Sequence, residues 1–141
     1  MKNKHSLTSF FLRSAALGLS LALAACASFS SKTAEDQIKE RVAQRWQALV
    51  VRDFNRAYSY LTPSFRELVT VEAYRGRFGA GLSWLGGEAV AVNCPEATKC
   101  IARVRIDYKP LLSGRVGDKI GTYSDETWLL EGGQWWLFEA I

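Results

Sequence analysis

The sequence predicts an α+β fold, with helices first and an antiparallel sheet after them, and three observations support this prediction. Apolar residues recur at helical spacing between residues 34 and 78. From Glu88 to the C-terminus, apolar and polar residues alternate instead with a period of two, which is typical of strands. Between the two parts lie four glycines, Gly79, Gly81, Gly86 and Gly87.

The helical part divides into four linked pieces. Each piece begins at a residue whose side chain commonly caps a helix, and these residues are Thr33, Asp53, Thr62 and Thr70. The apolar spacing predicts that the first piece covers 34–51. The third is expected over 64–69, because Pro63 suits the first turn of a helix.

The glycine cluster predicts a flexible passage between the helical half and the sheet half. It is not a phosphate-binding loop, because no Gly-Lys-Ser/Thr follows it and it opens no helix. A second loop is expected over 109–119, which contains Pro110, Gly114 and Gly117.

The first predicted hairpin joins two strands through a disulfide between Cys94 and Cys100. Each cysteine lies on the apolar face of its strand. Pairing the two cysteines therefore sets Val92 opposite Ala102, and Val90 opposite Val104. Arg103 and Arg105 fall on the other face, either as a patch for an anionic ligand or as an ordinary solvated sheet face.

The last predicted hairpin turns at Gly132-Gly133, which fits a two-residue turn. This register sets Trp128 opposite Leu137, and Leu130 opposite Trp135. The other face is apolar too, which favours a cover on both sides of the sheet. Helices would cover one face, and a second copy of the chain could cover the outer face as a homodimer.

The N-terminal segment has a basic start, an apolar run over 14–23 and then Leu23-Ala24-Ala25-Cys26. This order resembles a bacterial lipoprotein signal peptide. The resemblance implies a signal peptide over 1–25, a lipidated Cys26 with a tether over 26–33, and a domain over 34–141. The alternative is an ordinary cleaved signal in which Cys26 is incidental.

Lipidation of Cys26, with palmitate among the acyl chains, would anchor the protein to a membrane of the cell envelope. Residue 27 is alanine rather than aspartate, which by the enteric sorting pattern favours the outer membrane, facing the periplasm. In that oxidising compartment the two remaining cysteines, Cys94 and Cys100, are expected to form a disulfide.

Composition argues against two classes of function. The chain has 18 basic and 14 acidic side chains, and removal of 1–25 leaves 15 against 14, so a nucleic-acid partner has little support. The one histidine, His5, lies in the predicted signal peptide. Two thiols without histidine make half of a zinc site, so no metal or other cofactor is expected.

The order of helices, glycines and hairpins resembles the nuclear transport factor 2-like superfamily. Two stretches carry the likeness, one from Trp46 to Arg66 and the other the terminal Gly-Gly-Gln-Trp-Trp-Leu hairpin. The resemblance implies a cone-shaped, cystatin-like α+β fold, with the N-terminal helices packed in the concave face of a curved antiparallel sheet. The superfamily includes isomerases, cyclases, transport factors and small binding domains.

Enzymes of that superfamily often place Asp/His or Asp/Tyr sets in the cone, and the predicted domain has no histidine. Tyr58 and Tyr74 remain as weak catalytic candidates, although a role in the core is the simpler interpretation. Glu126 and Glu139 are the other weak candidates, because the hairpin register sets them opposite each other beside apolar residues. The alternatives are that both lie in water at the rim, or that Arg41, Arg45 or Arg52 neutralises them.

The sequence therefore predicts a lipid-anchored binding or accessory domain of the cell envelope, with no catalysis evident. Its partner would be another envelope protein or a small ligand, apolar or polar. A small isomerase- or cyclase-type enzyme with a carboxylate/tyrosine pocket is the alternative. A structural subunit of a cell-wall or secretion assembly is a third class.

Overall fold

Four helices precede an antiparallel sheet in the computed structural model, which describes residues 32–78, 81–112 and 115–141. The helices are α1 (Ala34–Val50), α2 (Phe54–Tyr58), α3 (Pro63–Leu68) and α4 (Val71–Gly76). The strands are β1 (Leu82–Glu96), β2 (Lys99–Leu112), β3 (Arg115–Val116), β4 (Ile120–Glu131) and β5 (Gln134–Phe138). This is the predicted α+β class.

Each helix begins where the sequence predicts a cap. The side chains of all four capping residues accept a hydrogen bond from the backbone N–H three residues later, and the caps are Thr33, Asp53, Thr62 and Thr70. These bonds satisfy N–H groups that have no partner within the helix. Helix α3 begins at Pro63, one residue earlier than predicted, because a proline in the first turn forfeits no hydrogen bond.

The sheet has the strand order β1-β2-β4-β5, all antiparallel, and β3 pairs with the end of β2. Residues 60–62 extend it, because the Leu137 N–H donates to the Tyr60 carbonyl and the Thr62 N–H donates to the Leu137 carbonyl. Bulges in β1 help to curve the sheet. That the helices occupy its concave face remains a prediction.

The core lies between α1, the short helices and one face of the sheet. Its largest fully buried side chains come from all of these parts: Ile38, Val42, Leu49, Leu61, Tyr74, Val104, Trp128 and Leu137. On β2, Cys100, Ala102, Val104 and Ile106 are buried while Arg103 and Arg105 are exposed, as the alternation predicts.

The terminal hairpin has the predicted register. Leu130 pairs with Trp135 and Trp128 with Leu137. Both turn glycines have positive φ, 60° for Gly132 and 77° for Gly133, which a type I′ turn requires.

The register of the first hairpin is only partly as predicted. Val92 pairs with Ala102, but the expected pairing of Val90 with Val104 is wrong. A β-bulge at Val90 lets Ala89 take the place opposite Val104, and the Val90 side chain is exposed. An inserted residue reverses the alternation on its strand, which a uniform period of two cannot anticipate.

The two predicted loops are shorter than expected. Gly86 and Gly87 lie inside β1 rather than in a flexible passage, whereas Gly79 is outside the described residues. Strand β2 continues to Leu112 and pairs with β3, so much of the predicted 109–119 loop is sheet. In both places the backbone pairing outweighs the local preference of glycine and proline for turns.

Cys94 and Cys100 are joined by a disulfide whose Cα atoms are 4.0 Å apart. Cys100 is buried in the core, and Cys94 packs against the core's edge. The bond therefore links the two strands beside the turn at 97–98.

Residues 1–31 lie outside the described ranges, and with them the predicted signal peptide and lipidated Cys26. No helix in the part of the chain that the structure describes is long and apolar enough to cross a membrane.

The end of α1 places Arg52 in the left-handed region, with φ of 58°. The Asp53 N–H donates to the Ala48 carbonyl over 2.8 Å, which forms a helix end where glycine is usual. We expect Arg52→Gly to raise the free energy of unfolding by about 1 kcal/mol, because glycine has no Cβ clash there. Urea unfolding measures the change.

Arg56→Gly, inside α2, is the matched control, and it should lower the free energy of unfolding by about 1 kcal/mol. A loss of stability in Arg52→Gly as large as in this control would contradict the account of the helix end.

Candidate functional site

Two glutamates near the C-terminus meet one arginine of α1. Glu126 lies in β4 and Glu139 follows β5, and continuing the hairpin register sets them opposite each other. The Nη1 group of Arg45 donates to Glu126 Oε1 over 2.9 Å, and Nη2 donates to Glu139 Oε1 over 3.2 Å. Of the three arginines that could neutralise these carboxylates, Arg45 is therefore the one that binds both.

Arg45 lies on the apolar face of α1 and is only 3% exposed. Its Nη2 group also donates to the Tyr74 hydroxyl over 3.2 Å. A buried cation is tolerated only when it is paired and hydrogen-bonded. Arg45, Tyr74, Glu126 and Glu139 supply that pairing, and we call these four residues the Arg45 cluster.

Glu126 is 7% exposed and receives three donors. Besides Arg45, the indole N–H of Trp46 donates to Oε1 over 2.9 Å, and that of Trp128 donates to Oε2 over 3.3 Å. Hydrogen bonds to a charged acceptor are stronger than neutral ones. Glu126 therefore ties α1 to β4 through the charge of Arg45 and the indole of Trp46, and Trp128 holds it from within its own strand. It does not lie in water at the rim.

Glu139 connects the Arg45 cluster to the surface. Its side chain is 23% exposed, and Oε2 accepts a hydrogen bond from Arg77 Nη1 over 3.2 Å. Arg77 follows α4, so this contact ties the last helix to the C-terminal segment. Glu139 also lines a mostly apolar groove of about 240 Å³, together with Phe65, Leu68 and Phe138.

Burial by itself would lower the pKa of Arg45, but the neighbours that accept its hydrogen bonds outweigh this effect. Glu126 is the largest of them, followed by Tyr74 and Glu139, and the net shift of the Arg45 pKa is upward. The guanidinium is therefore charged whenever the protein is folded. For Tyr74, burial raises the pKa of the hydroxyl, and the nearby charge of Arg45 opposes that shift only in part.

This raised pKa predicts how stability changes at alkaline pH. Because the folded state holds Tyr74 protonated above its ordinary pKa of 10.0, the unfolded state loses the proton first. The contribution of Tyr74 is fully present below that value and is lost as the pH rises through the folded-state pKa. Urea unfolding from about pH 8 to about pH 11 should show a decline that Tyr74→Phe reduces. Parallel declines in both proteins would contradict this account.

Tyr58, the other tyrosine candidate, lies outside the Arg45 cluster. The Tyr58 hydroxyl donates toward the Val69 carbonyl over 2.6 Å and lies 3.0 Å from the Arg66 carbonyl, so it supports the end of α3. Its ring lies 5.7 Å from that of Tyr74 but makes no hydrogen bond to the Arg45 cluster. Of the four weak candidates, the structure brings together Glu126, Glu139 and Tyr74.

Two partners of Glu126 could not be assigned from sequence, because Trp46 and Trp128 look like core residues by their spacing. The available signal was Arg45 itself, a charged residue three positions after Val42 on the apolar stripe of α1. A charge on such a stripe requires a partner in the core.

The Arg45 cluster is a set of charges that satisfy one another, and this limits its chemistry. A general acid or base must exchange a proton with a substrate within hydrogen-bond reach, whereas Glu126 is shielded and holds three donors. Within the described ranges, no group of three or more His, Cys, Asp or Glu side chains could hold a metal ion.

No protein-family model matches the chain. No curated protein matches it either. Two solved structures have a similar fold. The solution structure of a SEC-C motif-containing protein from Rhodopseudomonas palustris has a TM-score of 0.53 and 12% identity, over 66% of this chain and 68% of that one.

The crystal structure of a SEC-C motif-containing protein from Psychrobacter arcticus has a TM-score of 0.58 and 13% identity, over 79% of this chain. The match spans 63% of that protein, which is less than two thirds of its length. At such identities the likeness concerns the fold alone. The chain is an α+β domain that shares its fold with parts of these two proteins.

Proposed function

We propose that the protein is a lipid-anchored accessory or binding domain of the bacterial cell envelope, without catalysis of its own. The observation that carries the proposal is the pairing of both candidate carboxylates with Arg45. These residues hold α1, β4 and the C-terminal segment together, which is a structural task. A binding role then belongs to the surface of the domain rather than to its interior.

Two features support the envelope location. Leu23-Ala24-Ala25-Cys26 has the residues of a lipoprotein cleavage site, although it lies outside the described ranges. The disulfide between Cys94 and Cys100 suits an oxidising compartment. Because α1 begins at Ala34, the tether after Cys26 would span at most roughly 29 Å and keep the domain near the lipid surface.

Metabolic labelling with palmitate tests the anchor. We expect the wild-type protein to be labelled and Cys26→Ala to be unlabelled and released from the membrane fraction. The matched control is Cys94→Ala/Cys100→Ala, which should keep the label because the anchor is a different cysteine. Label on Cys26→Ala, or a mature N-terminus elsewhere, would refute lipidation at this residue.

Native mass spectrometry of the protein extracted from its own membrane tests the binding role. A ligand or protein that remains bound would support a binding domain if the NMR spectrum of the released ligand is unchanged after incubation, since isomerisation would alter that spectrum without altering the mass. Conversion of the bound molecule that stops in Glu139→Gln would instead support the alternative, an isomerase- or cyclase-type enzyme. Glu139 is the residue to vary because it is the partly exposed carboxylate of the Arg45 cluster.

A further inference from the structure

Two arginines outside the Arg45 cluster lie against the same tryptophan. The Cζ atom of Arg41, on α1, is 5.6 Å from the ring centre of Trp136, and that of Arg66, on α3, is 5.1 Å from it. The Trp136 indole N–H donates to the Glu131 carbonyl over 3.2 Å, which fixes the ring on β5. Arg41 is also 4.9 Å from the ring centre of Tyr60. We call Arg41, Trp136 and Arg66 the arginine stack.

Neither arginine of the stack has an acidic partner. All 14 acidic side chains of the chain lie in the described ranges, and none places an oxygen within 4.0 Å of Arg41 or Arg66. Four other arginines of the domain are each paired with a carboxylate: Arg45, Arg77, Arg103 and Arg105. The two cations of the stack therefore differ from these four.

Burial makes the missing partner costly. Both side chains are half-buried, and the Nε atom of each is shielded without a hydrogen-bond partner, as it is in Arg45. Unlike Arg45, these two arginines have no carboxylate at their terminal nitrogens to compensate. Burial lowers the pKa of Arg41, which is the direction expected for a cation that loses water and gains little in return. Arg52, Arg56 and Arg75 also lack an ion pair, but they are exposed, so water solvates them.

We propose that the arginine stack is a binding site for an oxyanion, the phosphate or carboxylate group of a ligand. The aromatic rings hold the two guanidinium groups in place by cation–π contact, which leaves their terminal N–H groups as donors. Guanidinium N–H pairs match the geometry of both oxyanions. An anion bound at the stack supplies the negative charge that both guanidinium groups lack.

This inference deepens the proposed binding role, since it names the chemistry of the ligand. It is independent of lipidation, because Arg41, Arg66 and Trp136 all lie within the described domain. A failure of the palmitate experiment would therefore refute the anchor and leave the anion site standing, and a failure of the anion experiment would do the reverse.

The test titrates the complete mature protein, purified in a non-ionic detergent, with inorganic phosphate and with acetate at an ionic strength held constant with sodium chloride. The readout is the indole N–H resonance of Trp136 in ¹⁵N-labelled protein, with that of Trp84 as an internal reference. We expect a saturable shift of the Trp136 resonance. Saturation by phosphate alone, or at a lower concentration than acetate, assigns a phosphate ligand, and saturation by acetate alone, or at the lower concentration, assigns a carboxylate.

Arg41→Gln and Arg66→Gln should each weaken the binding at least tenfold, while Arg56→Gln, an exposed arginine without an ion pair, should leave it unchanged. Arg41 also packs on the core rings of Tyr60 and Trp128, so its replacement carries the greater risk of unfolding the domain. If Arg41→Gln unfolds, Arg66→Gln on the short helix α3 decides the matter. No saturation beyond that of chloride, or equal binding by wild type and Arg66→Gln, would overturn the proposal.

Discussion

Replacing Arg45 by methionine should lower the free energy of unfolding by about 3–5 kcal/mol. The substitution keeps much of the side-chain volume but removes the positive charge that Glu126 and Glu139 share. Glu126 would then remain shielded from water with two indole donors and no countercharge. Leaving one member of a buried pair without its partner is among the largest effects of a single substitution. Urea unfolding at neutral pH measures it.

The matched control is Arg103→Met, because Arg103 makes an ion pair with Asp125 in which both side chains are about half exposed, at 51% and 55%. An exposed pair contributes at most about 1 kcal/mol, so this variant should be close to the wild type. Adding Glu126→Gln to Arg45→Met should recover part of the loss, since it removes the unpaired charge. Equal effects of Arg45→Met and Arg103→Met would show that the Arg45 cluster is not the electrostatic centre of the core.

The second large effect is expected at Gly87 in β1. A Cβ at this position would lie 2.6 Å from Cδ1 of Trp46 and closer still to two other ring atoms. The indole cannot move away easily, because its N–H is bonded to the buried Glu126. Gly87→Ala should therefore lower the free energy of unfolding by about 3 kcal/mol, at the upper end of the range for overpacked cores.

Gly86→Ala is the control for this effect, one residue away on the same strand. A Cβ at Gly86 meets no atom within 4 Å, so we expect a change of less than about 1 kcal/mol. Thermal and urea unfolding of the two alanine variants, side by side, test the contact between α1 and β1. Similar stability of both variants would contradict the close approach of Trp46 to Gly87.

Local signals in the sequence predict much of this fold. Thr33 and Thr70 cap helices because their hydroxyls reach backbone N–H groups three residues away. Gly132-Gly133 fixes the last register because the turn needs two residues with positive φ. Each of these features depends on a few neighbouring residues, so it can be interpreted without knowledge of the rest of the chain.

The features that were missed depend on distant residues. Gly87 is a strand residue because it pairs with Ile106 of β2, which lies far from it in sequence. The bulge at Val90 depends on how β1 pairs with β2. The alternation of apolar and polar residues along β1 does not show it. At the Arg45 cluster the hairpin register predicts that Glu126 and Glu139 lie together, but only the position of α1 shows which of Arg41, Arg45 and Arg52 binds both.

The link between residues 60–62 and Leu137 also bears on how the chain folds. It joins the middle of the helical half to the last strand, and the contacts of Arg45 with Glu126 and Glu139 cross 81 and 94 residues. Contacts of such sequence separation raise the contact order and slow folding, because a long loop must close before they are gained. Strand β5 follows all four helices and the other strands in the sequence. The helical half therefore cannot complete its core until β5 has been synthesised, and the domain becomes one cooperative unit only when that strand pairs.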